Sequence, residues 1–255
     1  MYNIKYNDII VNRCGKLPET PREDCDCCSN MTTTDIINEI RPGLNYQITT
    51  VDLVKTNKSV SMTEIPDGKN DYVAIYNTWG EDMGLDTETS NILGYSGTII
   101  LDTDELTIPI SKNYSFFGVK LYKVGDIITF DDIKTTLPVC NVNIGKNYIN
   151  DYIMKYAGGV YLEYHDRPHF HMPRDRCAGG HIILGRELDE YILLAAFEIP
   201  YGYALYTPGS VIHNDCFLTG KYIVVYSKTD DYSNVLLRDK KDRPVQVNIK
   251  KIRCV

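Results

Sequence analysis

The sequence predicts an all-β protein, and three observations carry that prediction. Short apolar or alternating runs of strand length recur along most of the chain, among them GTIILDT, FFGVKLYKV, YILLAAFEIP and KYIVVYS. Asp, Asn, Gly and Pro punctuate these runs at the spacing expected of sandwiches and barrels. Helix signals are nearly absent, and there is no heptad pattern, low-complexity tract or short-period repeat.

Taken in order, residues 1–45 read as an irregular N-terminal extension. LPETPREDCDCCSN is followed by a short helix candidate, TTTDIINEIRPG, with Thr34 as N-cap and Pro42-Gly43 as its stop. Residues 46–145 form a β-rich segment with NYQITTVDLV, YVAIYNTW, GTIILDT, LTIPI, FFGVKLYKV and DIITF as strands. PVCNVNIGKN reads as a connection. Residues 146–255 form a second β segment with KYAGGVYLEYH, GGHIILG, YILLAAFEIP, GYALYTP, KYIVVYS, NVLLR and VQVNIKKI. The two halves are alike in strand content and are readable as two tandem copies of one architecture.

At 255 residues the chain is long enough to bury a core without disulfides. It has 34 acidic and 27 basic side chains, a net charge of -7 and a pI near 5.3, which argues against a broad nucleic-acid footprint. The N-terminal stretch lacks the apolar core of a signal peptide, and no run approaches the roughly 18 apolar residues of a membrane span. The expectation is a soluble, cytoplasmic protein with neither nucleic acid nor membrane as partner. Most of its eight cysteines, CDCC at 25–28 among them, then stay free thiols. A bias toward Ile, Asn, Lys and Asp, with 20 tyrosines, resembles proteins of AT-rich genomes such as those of large DNA viruses. For a viral protein the compartment is the host cytoplasm.

Histidine distribution is the most informative feature. All five histidines fall between positions 165 and 213, and three of them lie in YHDRPHFHMPRD. His169 and His171, separated by one residue, point to the same side of a strand and offer two imidazoles to one divalent ion. His213, in GYALYTPGSVIHND, is the candidate third nitrogen ligand. An isolated HxH is more often a surface or core feature; the distant histidine after a proline-glycine turn favours a metal. An unbroken strand from Glu163 would put Glu163, His165, His169 and His171 on one face, but Arg167-Pro168 interrupts it.

HFHMPRD followed by GYALYTPGSVIHND resembles the two-motif signature of the cupin superfamily. His169 and His171 match its HxH, and Asp175 falls where that family usually has a glutamate. Gly202, Pro208, Gly209 and His213 match the second motif. The likeness covers residues 150–250, and KLYKVGDIITFDD at 120–132 resembles a cupin strand-glycine-aspartate-strand element in a half without histidine. The resemblance implies a cupin-type jelly-roll β-barrel with a metal, Fe, Mn, Ni or Zn, held by His169, His171, His213 and Asp175. Cupins often dimerise through edge strands, so a homodimer is expected.

The expected activity follows from that site. A metal-dependent isomerase or epimerase, or a dioxygenase, would act on a small polar, sugar-like or anionic molecule. Glu163, His165 and Tyr206 are the candidate acid-base groups. Tyr203 and Tyr206 point to opposite faces of their strand, so one of them lines the pocket. Arg167, Arg174, Arg176 and Arg186 suit an anionic substrate, against the plainer reading of a solvated loop. Asp175, between two arginines, also reads as a surface ion pair. The other class is a non-catalytic carbohydrate-binding or structural cupin. Motifs for dinucleotide, P-loop, serine-hydrolase and zincin chemistry are missing.

Overall fold

The computed structural model of the chain describes residues 11–13, 40–48, 53–55, 72–79, 97–130, 133–225 and 232–250. Among these run nineteen strands, numbered here in chain order, and one π-helical turn at Ile149–Ile153. The fold is all-β and jelly-roll-like. The first sheet has the order β1 (Val11–Arg13), β9 (Val139–Ile144), β17 (Leu218–Val225), β11 (His169–Pro173), β15 (Tyr203–Thr207) and β7 (Lys120–Lys123), with β12 (Gly179–Gly180) also on β17. The second runs β4 (Val73–Tyr76), β14 (Tyr191–Phe197), β13 (Ile182–Leu188), β16 (Ile212–Asn214), β10 (Tyr161–His165), β18 (Tyr232–Asp239) and β5 (Gly97–Leu101).

Side-chain alternation assigns the layers. On β17, Tyr222 and Val224 pack with Leu184 of β13 and Phe197 of β14, so the two large sheets face each other. Ile223 and Val225 point the other way, onto Tyr46, Ile128 and Phe130. That outer face is covered by a small sheet of β3 (Leu53–Lys55), β2 (Asn45–Ile48) and β8 (Ile127–Thr129). The far face of the second sheet is covered by β6 (Glu105–Pro109), which pairs with β19 (Gln246–Lys250), and by Ile153, Ala157 and Val160 around the π-helical turn. Strands buried on both faces are apolar throughout, which is why β14 reads as a continuous run and not as an alternating one.

The expected division near residue 145 does not separate two barrels. β7 and β9 belong to the same sheet as β11, β15 and β17, while β4 and β5 form the two edges of the second sheet. Strand content repeats along the chain, but pairing is set by long-range burial. KLYKVGDIITFDD is likewise split: β7 joins the first large sheet and β8 the covering sheet, with Gly125 at φ 101 between them. PVCNVNIGKN, expected as a connection, contains β9, buried along its whole length. Three pairings, β1 with β9, β18 with β5 and β19 with β6, are parallel. The Thr34 cap and the CDCC segment lie outside the described residues. Among the described residues no helix is long and apolar enough to cross a membrane, and Cys140, Cys177 and Cys216 are free thiols.

Candidate metal centre

β10 and β11 are neighbours in sequence but lie in opposite sheets. Asp166-Arg167-Pro168 carries the chain between them, and Pro168, lacking an N–H, cannot extend the ladder of β10. His165 at the end of one strand and His169 at the start of the next therefore face each other, with ring centroids 4.3 Å apart. His213 on β16 stands directly opposite Glu163 on β10, so these two share the interior face with His165. Its ring lies 5.0 Å from His165 and 4.9 Å from His169. One ligand atom from each of His165, His169 and His213 lies within 4.8 Å of the others, and all three residues are buried. Three buried histidines in this arrangement can hold one metal ion. Ligand atoms of a single tetrahedral ion stand roughly 3.4 Å apart, so the three rings are set slightly open.

The turn before His213 fixes the turn after His165. The Ser210 N–H donates to the His165 carbonyl at 2.6 Å. Gly209 lies so close to this loop that a Cβ there would come 2.4 Å from the Asp166 carbonyl oxygen. Ser210 itself adopts φ 65, in the left-handed region. The proline-glycine turn is thus a clamp on the His165 loop as well as a lead-in to β16.

Electrostatics favour the neutral form of His165 and His169. Burial, then the neighbouring His213, lower the His165 pKa to about 4, against weaker upward pulls from the Arg167 backbone, Asp166 and Asp215. His169 is held well below its ordinary value, first by burial and then by His213, His165 and His171. Neutral imidazole is the metal-binding form. The nitrogens also lack ordinary outlets. Both ring nitrogens of His165 and Nδ1 of His169 are buried without a well-formed hydrogen bond, and leaving such groups unmatched costs about 1–3 kcal/mol each.

His213 shows which of its atoms faces the cluster. Nδ1 lies 2.8 Å from the Val211 carbonyl; a carbonyl only accepts, so Nδ1 carries a proton, and in the neutral ring Nε2 keeps a lone pair. Nε2 then faces the Glu163 carboxylate at 3.6 Å. Two lone-pair bearers so placed favour a proton between them, so the Glu163 carboxylate stands beside the three rings as a proton acceptor.

The structure brings His169 and His213 together, with His165 and not His171 as the third ring. His171 shares the face of His169, but its Nε2 pairs with Asp215 Oδ2 at 3.3 Å, and both are buried. Asp175 is engaged in its own loop, where Oδ1 accepts the backbone N–H groups of Cys177 and Ala178; a short carboxylate bound this way is a turn cap. Tyr206 points away from the histidines, into the outer core 5.5 Å from the Phe130 ring. Tyr203 packs on the interior cluster. Of the three expected acid-base groups, Glu163 and His165 are at the site and Tyr206 is across the sheet.

The expected arginine surround is dispersed. Arg167 lies by Asp166, Arg174 donates to Asn141, Arg176 sits over Tyr201, and Arg186 reaches the Phe116 carbonyl and covers its ring. His181 faces Glu198. Sequence reasoning missed Asp215, the partner of His171. Asp215 was legible as the residue two beyond His213. No family model matches the chain, and no curated protein or solved structure matches it either.

Proposed function

We propose that this centre binds a divalent transition metal, Fe, Mn, Ni or Zn, in a cupin-like enzyme that isomerises or epimerises a small, polar, sugar-like carbonyl compound. The observation that carries the reading is the convergence of His165, His169 and His213 with Glu163 beside them. A bound ion there supplies Lewis acidity to a carbonyl oxygen. His165 and His213 would hold it from the second sheet and His169 from the first. Glu163 acts as the base, taking a proton at Oε1 from a carbon next to the carbonyl and returning it. Its side chain is 23% exposed while that of His213 is 2%, so the carboxylate is the group with a route to solvent for exchanging that proton.

The test begins with elemental analysis of tag-free protein. One metal per chain is expected, lost in His165→Ala, His169→Ala and His213→Ala and kept in His171→Ala. An aldose–ketose panel follows, with Glu163→Gln expected to keep the metal and lose turnover. Absence of metal after loading with all four ions sinks the proposal. Oxygen uptake without isomerisation would assign the centre to a dioxygenase instead.

A further inference from the structure

We infer that Thr207 is a ligand-orienting residue of this centre, and that the centre takes small molecules that bind through an oxygen atom able to accept a hydrogen bond. The inference rests on the metal reading above. Thr207 is the last residue of β15, has 0% exposure, and pairs in register with His169 of β11. Directly opposed residues on antiparallel strands share a face, with Cβ atoms about 4.5–5.5 Å apart. The Thr207 side chain therefore stands beside His169 on the interior face. Its Oγ1 has no hydrogen-bond partner.

Packing does not account for a hydroxyl at this position. Valine would fill the same volume without leaving a polar atom unmatched, and the residue two back on the same face, Leu205, is fully apolar and buried. The unmatched hydroxyl also does not stand alone. It lies next to a ring whose Nδ1 is unmatched, and that ring lies 4.3 Å from His165, where both nitrogens are unmatched. The nitrogens are of the type that holds an ion. A neutral hydroxyl is a poor ion ligand at such a site but a good donor. Nitrogens that receive a cation and a hydroxyl that donates to what the cation carries are complementary, and together they match the hydroxyl and one nitrogen of each ring.

The test uses full-length protein loaded with Co(II), whose visible absorption reports both ion binding and any further ligand, with acetate as the oxygen-donor probe. Wild type is expected to bind cobalt at one per chain and to change its spectrum on acetate addition. Thr207→Val should keep the cobalt stoichiometry and weaken acetate binding roughly tenfold, the size of one hydrogen bond to a charged group. Thr207→Ser should restore it. If Val lowers cobalt stoichiometry, Thr207→Ala removes the hydroxyl without demanding space and carries the same expectation. Equal acetate affinity in wild type and the hydroxyl-free variant, weak binding in Thr207→Ser, or no response of wild type to acetate would each overturn the inference and leave the metal reading standing. Failure of wild type to bind cobalt would remove both.

Discussion

His165 and His171 flank His169, one across a turn and one along a strand, and their fates differ. His171 has a carboxylate partner in Asp215, whereas His165 has two buried nitrogens without a well-formed hydrogen bond. Metal stoichiometry should therefore collapse in His165→Ala and survive in His171→Ala, and the reverse result would restore the HxH pair as the ligand set. The lowered His165 pKa gives a second expectation, for metal-free protein. Between its ordinary value of 6.5 and about 4, the unfolded chain takes up a proton that the folded chain refuses. Stability is then complete above the ordinary value and falls as pH drops toward the folded one, by up to about 3 kcal/mol for this residue. Melting temperature followed from pH 7 downward should decline less steeply in His165→Gln; identical slopes would remove His165 from the explanation. At this scale the sequence showed which histidines matter more clearly than how they divide. Parity along a strand put His169 and His171 on one side, but a chain that crosses between sheets at Pro168 brings in a ring from the other direction, and no local pattern encodes that crossing.

The strands themselves were well marked. β10, β14 and β15 fall inside runs recognisable from apolar content, and β17 overlaps one, because a strand buried on one or both faces has few other compositions open to it. Their partners were not marked. β9 reads as a loop because three of its six residues, Cys140, Asn141 and Asn143, lack the usual strand signature, yet it is buried throughout. Two substitutions test elements as supports of the site. Gly209→Ala should push the His165 loop away, since its new Cβ meets the Asp166 carbonyl, and weaken metal binding by tenfold or more while far-UV circular dichroism stays that of the wild type. Unchanged affinity would mean that the clamp is not needed. Phe170→Ala empties a fully buried site between the two histidines of β11 and should cost about 3–5 kcal/mol in denaturant unfolding. A loss below about 1 kcal/mol would show that the outer layer does not brace this strand.

Across the whole molecule, composition was enough for the all-β class but not for its partition. Strands from the first half complete sheets made by the second, so the chain has one interior where an equal division of strand content suggested two. Only the pairing of segments roughly 75 to 140 residues apart reveals this, and register over such distances leaves no periodic trace. Because the candidate ligands come from both large sheets, metal should stabilise the entire sandwich: at a free concentration 100 times its Kd, binding to the folded state alone adds about 2.7 kcal/mol. Thermal melts with and without chelator should separate accordingly, and coincident melts would mean that the ion is not held across the sheets.

The crossing at Asp166-Arg167-Pro168 has a consequence in time. His169 hangs from one sheet, His165 and His213 from the other, so the three rings come within reach of one ion only once the two sheets have docked. A half-assembled chain has no cage to offer. An ion held there would stabilise the finished protein far more than the transition state that leads to it, and so would lengthen the lifetime of the native state while leaving the speed of folding almost untouched.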